Sequence, residues 1–166
     1  MRHRFAALGI LVVAALPAFA FTLDDVRVQA TLVDGSAKDP FRIRGRLSGV
    51  DARAAVNGFA TIRFGDLVAH APAGGFTKRG NAYTWRSYLF GVKKVTINVK
   101  KGTIDIVGGG TELGDLPGPV TLGIGLSKGV TCGRFEWSGA PVTIGLRSGG
   151  RGTRKTAAGA LAPCTD

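Results

Sequence analysis

Three arginines alternate along one short segment of the chain, at Arg42, Arg44 and Arg46. Successive side chains of a β-strand point to opposite faces, so the three guanidinium groups would share one face at spacings of about 6.6 to 7 Å. Guanidinium groups form charge-assisted hydrogen bonds with carboxylates and phosphates. The spacing predicts a surface that bridges successive anionic groups. The alternative is an edge strand that its charges protect from aggregation.

A second candidate for binding is a segment in which basic and aromatic residues alternate irregularly. Such mixtures are typical of surfaces that stack bases or sugar rings. Trp85 and Arg86 are its central pair, and packing of the aromatic rings in the core is the competing interpretation. The whole set is Lys78, Arg79, Tyr83, Trp85, Arg86, Tyr88, Phe90, Lys93 and Lys94.

The segment Gly125–Gly129 matches the Gly-x-Ser-x-Gly pattern of serine hydrolases, with Ser127 as the nucleophile. That motif requires a sharp strand-to-helix turn and places its histidine after the serine. Here no helical pattern follows, and His70 precedes the serine. A β-turn explains the segment better, so we predict no catalytic residue.

Carboxylates could also serve catalysis, because glycosidases use a pair of them. Four acidic residues lie near the middle of the chain, but nothing in the sequence singles out two of them. They are Asp105, Glu112, Asp115 and Glu136. We therefore expect a protein that is not an enzyme and that needs no cofactor.

Two cysteines, Cys132 and Cys164, are present. An even pair in an exported domain normally forms a disulfide. A tetrahedral zinc site is the alternative, but two thiolates and the single histidine after the N-terminal segment do not complete its ligand shell. We predict a disulfide and no metal site.

The first 20 residues have the pattern of a secretory signal peptide. Arg2 and Arg4 precede the apolar run Phe5–Leu16, and the small-residue box Ala18–Ala20 follows. The run is shorter than the roughly 20 residues that a transmembrane helix needs. We expect a signal helix over residues 1–20, cleavage after Ala20, and export to the periplasm or the extracellular space.

The formal net charge is +11 at pH 7. Arg2 and Arg4 carry two of these charges, so the rest of the chain carries about +9. An excess of this sign favours anionic partners: acidic polysaccharide, lipid headgroups or another polyanion. After the leader, no further segment is long and apolar enough to span a bilayer as a helix.

Period-2 alternation of apolar and polar residues recurs along the chain and predicts strands. It is clear at residues 26–32 and 41–47, and a short repeat, Pro119–Ile124 and Pro141–Leu146, implies two related strands. The 26 glycines and the lack of a helical period favour turns and strands. We expect an all-β domain over residues 21–147, with about nine or ten short strands in a β-sandwich or, alternatively, an open barrel.

The last segment, residues 148–166, is rich in Gly, Ala and Arg and has no apolar period. Such a composition is typical of a disordered tail. Because Cys164 lies near its end, we expect a basic tail that the disulfide tethers to the β domain.

The organisation of strands and glycines, including Gly91–Val95 and Lys101–Ile106, resembles that of uncharacterised, glycine-rich secreted bacterial β proteins. The resemblance covers about the middle half of the chain. It implies no activity.

Three functions follow from these features, in decreasing order of support. The first is an exported, non-catalytic β domain that binds an anionic surface or polymer. The second is an envelope scaffold or adhesin-like module that contacts another protein through its sheet edges. The third is an exported hydrolase.

Overall fold

The structure, a computed structural model, describes residues 21–34, 39–49, 52–88, 91–113, 118–126, 129–146 and 150–164. The predicted signal helix over 1–20 lies outside these ranges. The described residues form twelve strands and one short helix, so the all-β prediction is confirmed. The elements are β1 (Thr22–Val33), β2 (Phe41–Ser48), α1 (Ala52–Asn57), β3 (Ala60–Phe64), β4 (Leu67–Ala71), β5 (Thr77–Arg79), β6 (Ala82–Arg86), β7 (Gly91–Asn98), β8 (Thr103–Gly109), β9 (Val120–Leu126), β10 (Gly129–Phe135), β11 (Ser138–Gly145) and β12 (Arg151–Pro163).

All strands belong to one antiparallel sheet that curls into a half-barrel. Its order is β4-β3-β9-β10-β12-β1-β2-β8-β7-β6-β5, and β11 pairs with β12 beside this path. The prediction of a two-sheet sandwich is therefore wrong. β12 lies between β10 and β1 and joins all strands into one sheet. It pairs with β1 over most of its length and with β10 at its C-terminal end.

The expected count of nine or ten strands is corrected to twelve, since β5 and β12 lacked a recognisable apolar period. β12 occupies most of the segment that was expected to be a basic tail. Its buried positions are Gly152, Ala157 and Leu161, which are mostly small. Such residues give almost no hydrophobic signal in the sequence, and backbone pairing with β1 places them in the sheet.

The core lies on the inner face of the curled sheet. The rings of Phe41 on β2 and Phe64 on β3 stack with centroids 4.7 Å apart, although these strands are not neighbours in the sheet. The Phe41 ring lies over Gly108 of β8, where a Cβ atom would be only 2.0 Å from the ring. Glycine at this position lets the two halves of the sheet close on a packed interior.

Asp39, which precedes β2, is a buried carboxylate with a structural role. It accepts hydrogen bonds from the backbone N–H of Val33, at 2.8 Å, and of Leu113, at 2.9 Å. These bonds hold the end of β1 against the segment that follows β8. Asp39 thus has a structural partner at each of its two carboxyl oxygens.

Candidate functional site

The arginine stripe, Arg42, Arg44 and Arg46, lies on the outer face of β2, and all three side chains are exposed. β2 has hydrogen-bonded neighbours on both sides, β1 and β8. The interpretation of the stripe as a charged edge strand is therefore wrong. An interior strand has no free backbone edge to protect, so the positive charge on this face needs another explanation.

Two carboxylates on the neighbouring strands face the stripe: Asp24 of β1 lies opposite Arg46 in the register, and Asp105 of β8 lies opposite Arg44. Arg42 donates two hydrogen bonds to Asp105 of β8, from Nε to Oδ1 at 2.7 Å and from Nη2 to Oδ2 at 2.6 Å. The Nε atom of Arg44 lies 3.5 Å from Oδ1 of the same carboxylate. A single negative charge thus lies between two positive ones, and the group keeps a net positive charge.

The pKa of Asp105 reflects this arrangement. Burial opposes its ionisation, but the hydrogen bonds and charges of Arg42 and Arg44 outweigh burial and hold the pKa below its usual value. The hydrogen bonds to Asp105 raise the pKa of the Arg42 guanidinium in turn. Asp105 thus orients the Arg42 head group.

A shallow groove of about 370 Å³ runs over the outer face of β12, β1 and β2. Arg27 of β1 lies directly opposite Arg44 in the register and joins Arg42 and Arg44 in lining it. Gln29, Ser138 and Thr156 contribute polar side chains, and the lining is completed by Val28, Ala157 and Ala158. We call this the β1–β2 groove. Arg46 lies outside its lining.

A second groove, of about 640 Å³, lies farther along the same outer face over β5, β6 and β7. Its cations are Arg79, Arg86 and Lys94, and Arg86 faces Lys94 across the β6–β7 pair. The rest of its lining is Gly75, Thr77, Ala82, Thr84, Tyr88 and Thr96. We call this the β5–β7 groove.

The two grooves together have six arginine or lysine residues in their linings, and no acidic residue lines either of them within the described ranges. Asp105 lies on β8, the strand between them. Arg42 and Arg44 share one acid, Asp105, so the six cations keep a net positive charge. This charge creates a potential that attracts anions and falls off over about 8 to 10 Å in physiological salt.

The side chains of Trp85 and Arg86 lie on opposite faces of β6. Neighbouring residues on a strand point to opposite faces, and Arg86 lines the β5–β7 groove whereas Trp85 packs against the hydrophobic core. Tyr83 also packs against the core, and the Nζ atom of Lys78 lies 5.9 Å from the centre of its ring. Of the described aromatic residues in the predicted segment, Tyr88 is the one that lines the groove, and Phe90 lies outside the described ranges.

The residues considered for catalysis do not assemble in the described part of the chain. His70 is exposed on β4, and its Nδ1 atom lies 3.1 Å from the Thr61 hydroxyl across the strand pair. Ser127 and Asp115 lie outside the described residues. Among the residues that are described, no cluster of three or more potential metal ligands occurs.

Sequence reasoning missed two contributors to the site, Arg27 and the threonines of the β5–β7 groove. Arg27 is part of the alternating pattern of β1, so its orientation could be read from the sequence. Its position opposite Arg44 could not, because that depends on the register between β1 and β2.

The predicted pairing of Cys132 and Cys164 is confirmed, since the two residues lie at disulfide distance with Cα atoms 5.1 Å apart. Such a bond is compatible with an oxidising compartment. Within the described ranges, we find no helix with the length and apolar character needed to cross a membrane.

Comparison of the chain with protein families, with curated proteins and with solved structures gives no match.

Proposed function

We propose that this protein is an exported, non-catalytic β domain that binds an anionic polymer or surface through the outer face of its sheet. The observation that carries the proposal is the lining of the two grooves, with six cations and no acidic residue among the described positions. Binding of a polyanion releases counterions, so several cations along one face act together in a way that a scattered net charge does not.

The placement of the cations also supports this function. Arg27, Arg42 and Arg44 lie on two adjacent interior strands, whose backbone positions are set by hydrogen bonds on both sides. Side chains on such strands are held in a defined array, which lowers the cost of ordering them when a ligand binds. Asp105 further limits the freedom of Arg42.

The test compares two variants with the same change in charge. Arg42→Gln/Arg44→Gln removes two cations from the β1–β2 groove, and Arg63→Gln/Arg134→Gln removes two from the outer face of β3 and β10. Titration with inorganic polyphosphate at several salt concentrations is the measurement. We expect the first variant to bind about tenfold more weakly, with a salt slope lower by about 1 to 2, and the control to change little. Equal losses in both variants would contradict the proposal, because net charge alone would then drive binding.

A protein-interaction module is the second candidate, and the exposed strand β11 is the observation that favours it. Val142 on this strand keeps 59% of its side chain exposed. Association through an apolar edge persists as salt rises, whereas charge-driven binding weakens steeply. A partner retained in 1 M salt and lost in Val142→Asp would favour this second function.

A further inference from the structure

Tyr88 is the most exposed large apolar side chain in the described part of the chain, with a relative exposure of 100%. It follows β6 and lines the β5–β7 groove. A ring that folding leaves in water adds nothing to the core, and both of its faces remain free for a ligand. Rings of this kind stack on planar or flat ligand groups at low entropic cost, because only two side-chain torsions are fixed.

The middle of the same groove is a row of hydroxyl groups. Thr77 pairs with Thr84 across β5 and β6, and Thr84 pairs with Thr96 across β6 and β7. The hydroxyl oxygens of Thr84 and Thr96 lie 3.4 Å apart. Each hydroxyl can donate one hydrogen bond and accept two, so the row can bind further hydroxyl groups above it.

Cations flank this row on both sides. Arg86 and Lys94 lie opposite one another two residues along from Thr84 and Thr96, and Arg79 lies two residues from Thr77 on the other side. Two residues of a strand span about 7 Å. A ring that sits over the threonines is therefore within reach of a cation on either side.

We propose that the β5–β7 groove is a sugar-binding subsite and that the anionic ligand of this protein is an acidic polysaccharide. This inference rests on the proposed function and names its ligand class. Tyr88 stacks on a pyranose ring, the threonines bind ring hydroxyls, and Arg79, Arg86 and Lys94 bind the carboxylates or sulfates of the chain. One ring and a hydroxyl row within the same groove fit successive sugars of a chain better than single-stranded nucleic acid, which is bound by successive aromatic platforms.

The experiment uses the full mature chain and three probes: polygalacturonate, inorganic polyphosphate and oligothymidylate. Polyphosphate has charge and no ring, and oligothymidylate has charge and bases. We expect Tyr88→Ala to weaken polygalacturonate binding about five- to tenfold and to leave polyphosphate binding unchanged. Thr84→Val, which keeps the shape and removes a hydroxyl, should weaken polygalacturonate binding and spare polyphosphate binding.

Two control variants test whether the aromatic ring of Tyr88 is responsible for the effect. Tyr88→Phe keeps the aromatic face and should bind polygalacturonate like the parent protein. Phe59→Ala removes an exposed aromatic residue outside the groove and should also leave binding unchanged. A loss in Tyr88→Phe equal to that in Tyr88→Ala would overturn stacking.

The other outcomes separate this inference from the proposed function. If polyphosphate binding depends on Arg42 and Arg44 but Tyr88→Ala leaves polygalacturonate binding unchanged, the sugar subsite is rejected and the proposed function stands. If Tyr88→Ala weakens only oligothymidylate binding, the ligand is a nucleic acid and the inference is overturned. If the parent protein binds none of the three probes, both proposals are rejected.

Discussion

The two halves of the sheet share an apolar inner face and differ in their outer faces. The four-stranded half consists of β4, β3, β9 and β10, and the eight-stranded half of the remaining strands. On the outer face of the four-stranded half, β9 presents Gly123 and Gly125 against Thr61 and Arg63 of β3. The eight-stranded half has six cations in its two grooves. The core lies on the inner face, so the proposed binding function concerns only the outer faces.

The hexapeptide repeat has one copy in each half. In the four-stranded half, Pro119–Ile124 leads into β9, which lies between β3 and β10, and Leu122 is fully buried. In the eight-stranded half, Pro141–Leu146 lies largely in β11, which is exposed along most of its length. Nearly the same six residues therefore form a core strand in one place and a surface strand in the other. The neighbours of a strand decide its burial.

The largest expected effect comes from truncating equivalent residues of the two copies. Leu122→Ala removes a fully buried side chain and leaves a cavity, so we expect it to lower the free energy of unfolding by about 2 to 5 kcal/mol. Ile144→Ala, at the equivalent position of the second copy, should cost about 1 kcal/mol or less, since Ile144 is partly in water already. Urea denaturation of both variants measures the difference. A similar loss of stability in the two variants would mean that β11 is buried in solution. The two copies of the repeat would then not differ in burial.

The next effect concerns the seam between the halves. β10 and β12 share two register pairs, whereas β9 and β10 share seven. The disulfide Cys132–Cys164 reinforces this short seam and closes a loop with a sequence separation of 32. We expect Cys132→Ala/Cys164→Ala to lower the free energy of unfolding by about 3 to 4 kcal/mol in the chain-entropy model.

Amide hydrogen exchange shows which strands lose stability when the disulfide is removed. Amides of β10 and the end of β12 should exchange faster without the disulfide, while the part of β12 that pairs with β1 should stay protected. The control is the protein with an intact disulfide under the same conditions. Exchange that rises along the whole of β12 would show that this segment is held by the disulfide as a tail rather than by β1.

The smallest effect is electrostatic and is confined to the outer face of the eight-stranded half. The pKa of Asp105 is lowered in the folded state because the hydrogen bonds and charges of Arg42 and Arg44 outweigh the effect of burial. A lowered carboxyl pKa stabilises the fold above the unfolded value of about 3.9, and this contribution is lost as pH falls through the folded value. We expect Asp105→Asn to lose little stability at pH 7 and to remove this part of the acid dependence, as measured by denaturation between pH 2 and 7.

The same variant should bind inorganic polyphosphate about two- to fivefold more tightly, because one negative charge beside Arg42 and Arg44 is gone. Asp66→Asn makes the same change of charge in the β3–β4 turn and is the matched control. An equal gain in both variants would show that the two outer faces do not differ in binding.

Most strands could be predicted from the sequence, because an amphipathic strand shows its burial as a period of two. The alternation in β1 and β2 put the correct residues on the inner and outer faces, and the orientation of the arginine stripe followed from it. β12 could not be predicted in this way. Two of its three buried residues, Gly152 and Ala157, are small, and small residues give no hydrophobic period in the sequence.

The candidate site was predictable in part. Arg42 and Arg44 line the β1–β2 groove but Arg46 does not, and Trp85 packs against the core whereas Arg86 lines the β5–β7 groove with Tyr88. The sequence could not distinguish a ring that packs inward from one that faces solvent, because both occur in the same aromatic segment.

The sequence by itself determined the all-β fold class, the basic charge, which side chains share a face of a strand, and the pairing of the only two cysteines. These are local or compositional properties, set by side-chain type and the period of the backbone. Only the tertiary structure decided that β2 is an interior strand, that Asp105 binds Arg42, and that two copies of one hexapeptide differ in burial. Each of these depends on hydrogen-bond register between strands far apart in the chain, and register follows from the closure of the whole sheet around its core.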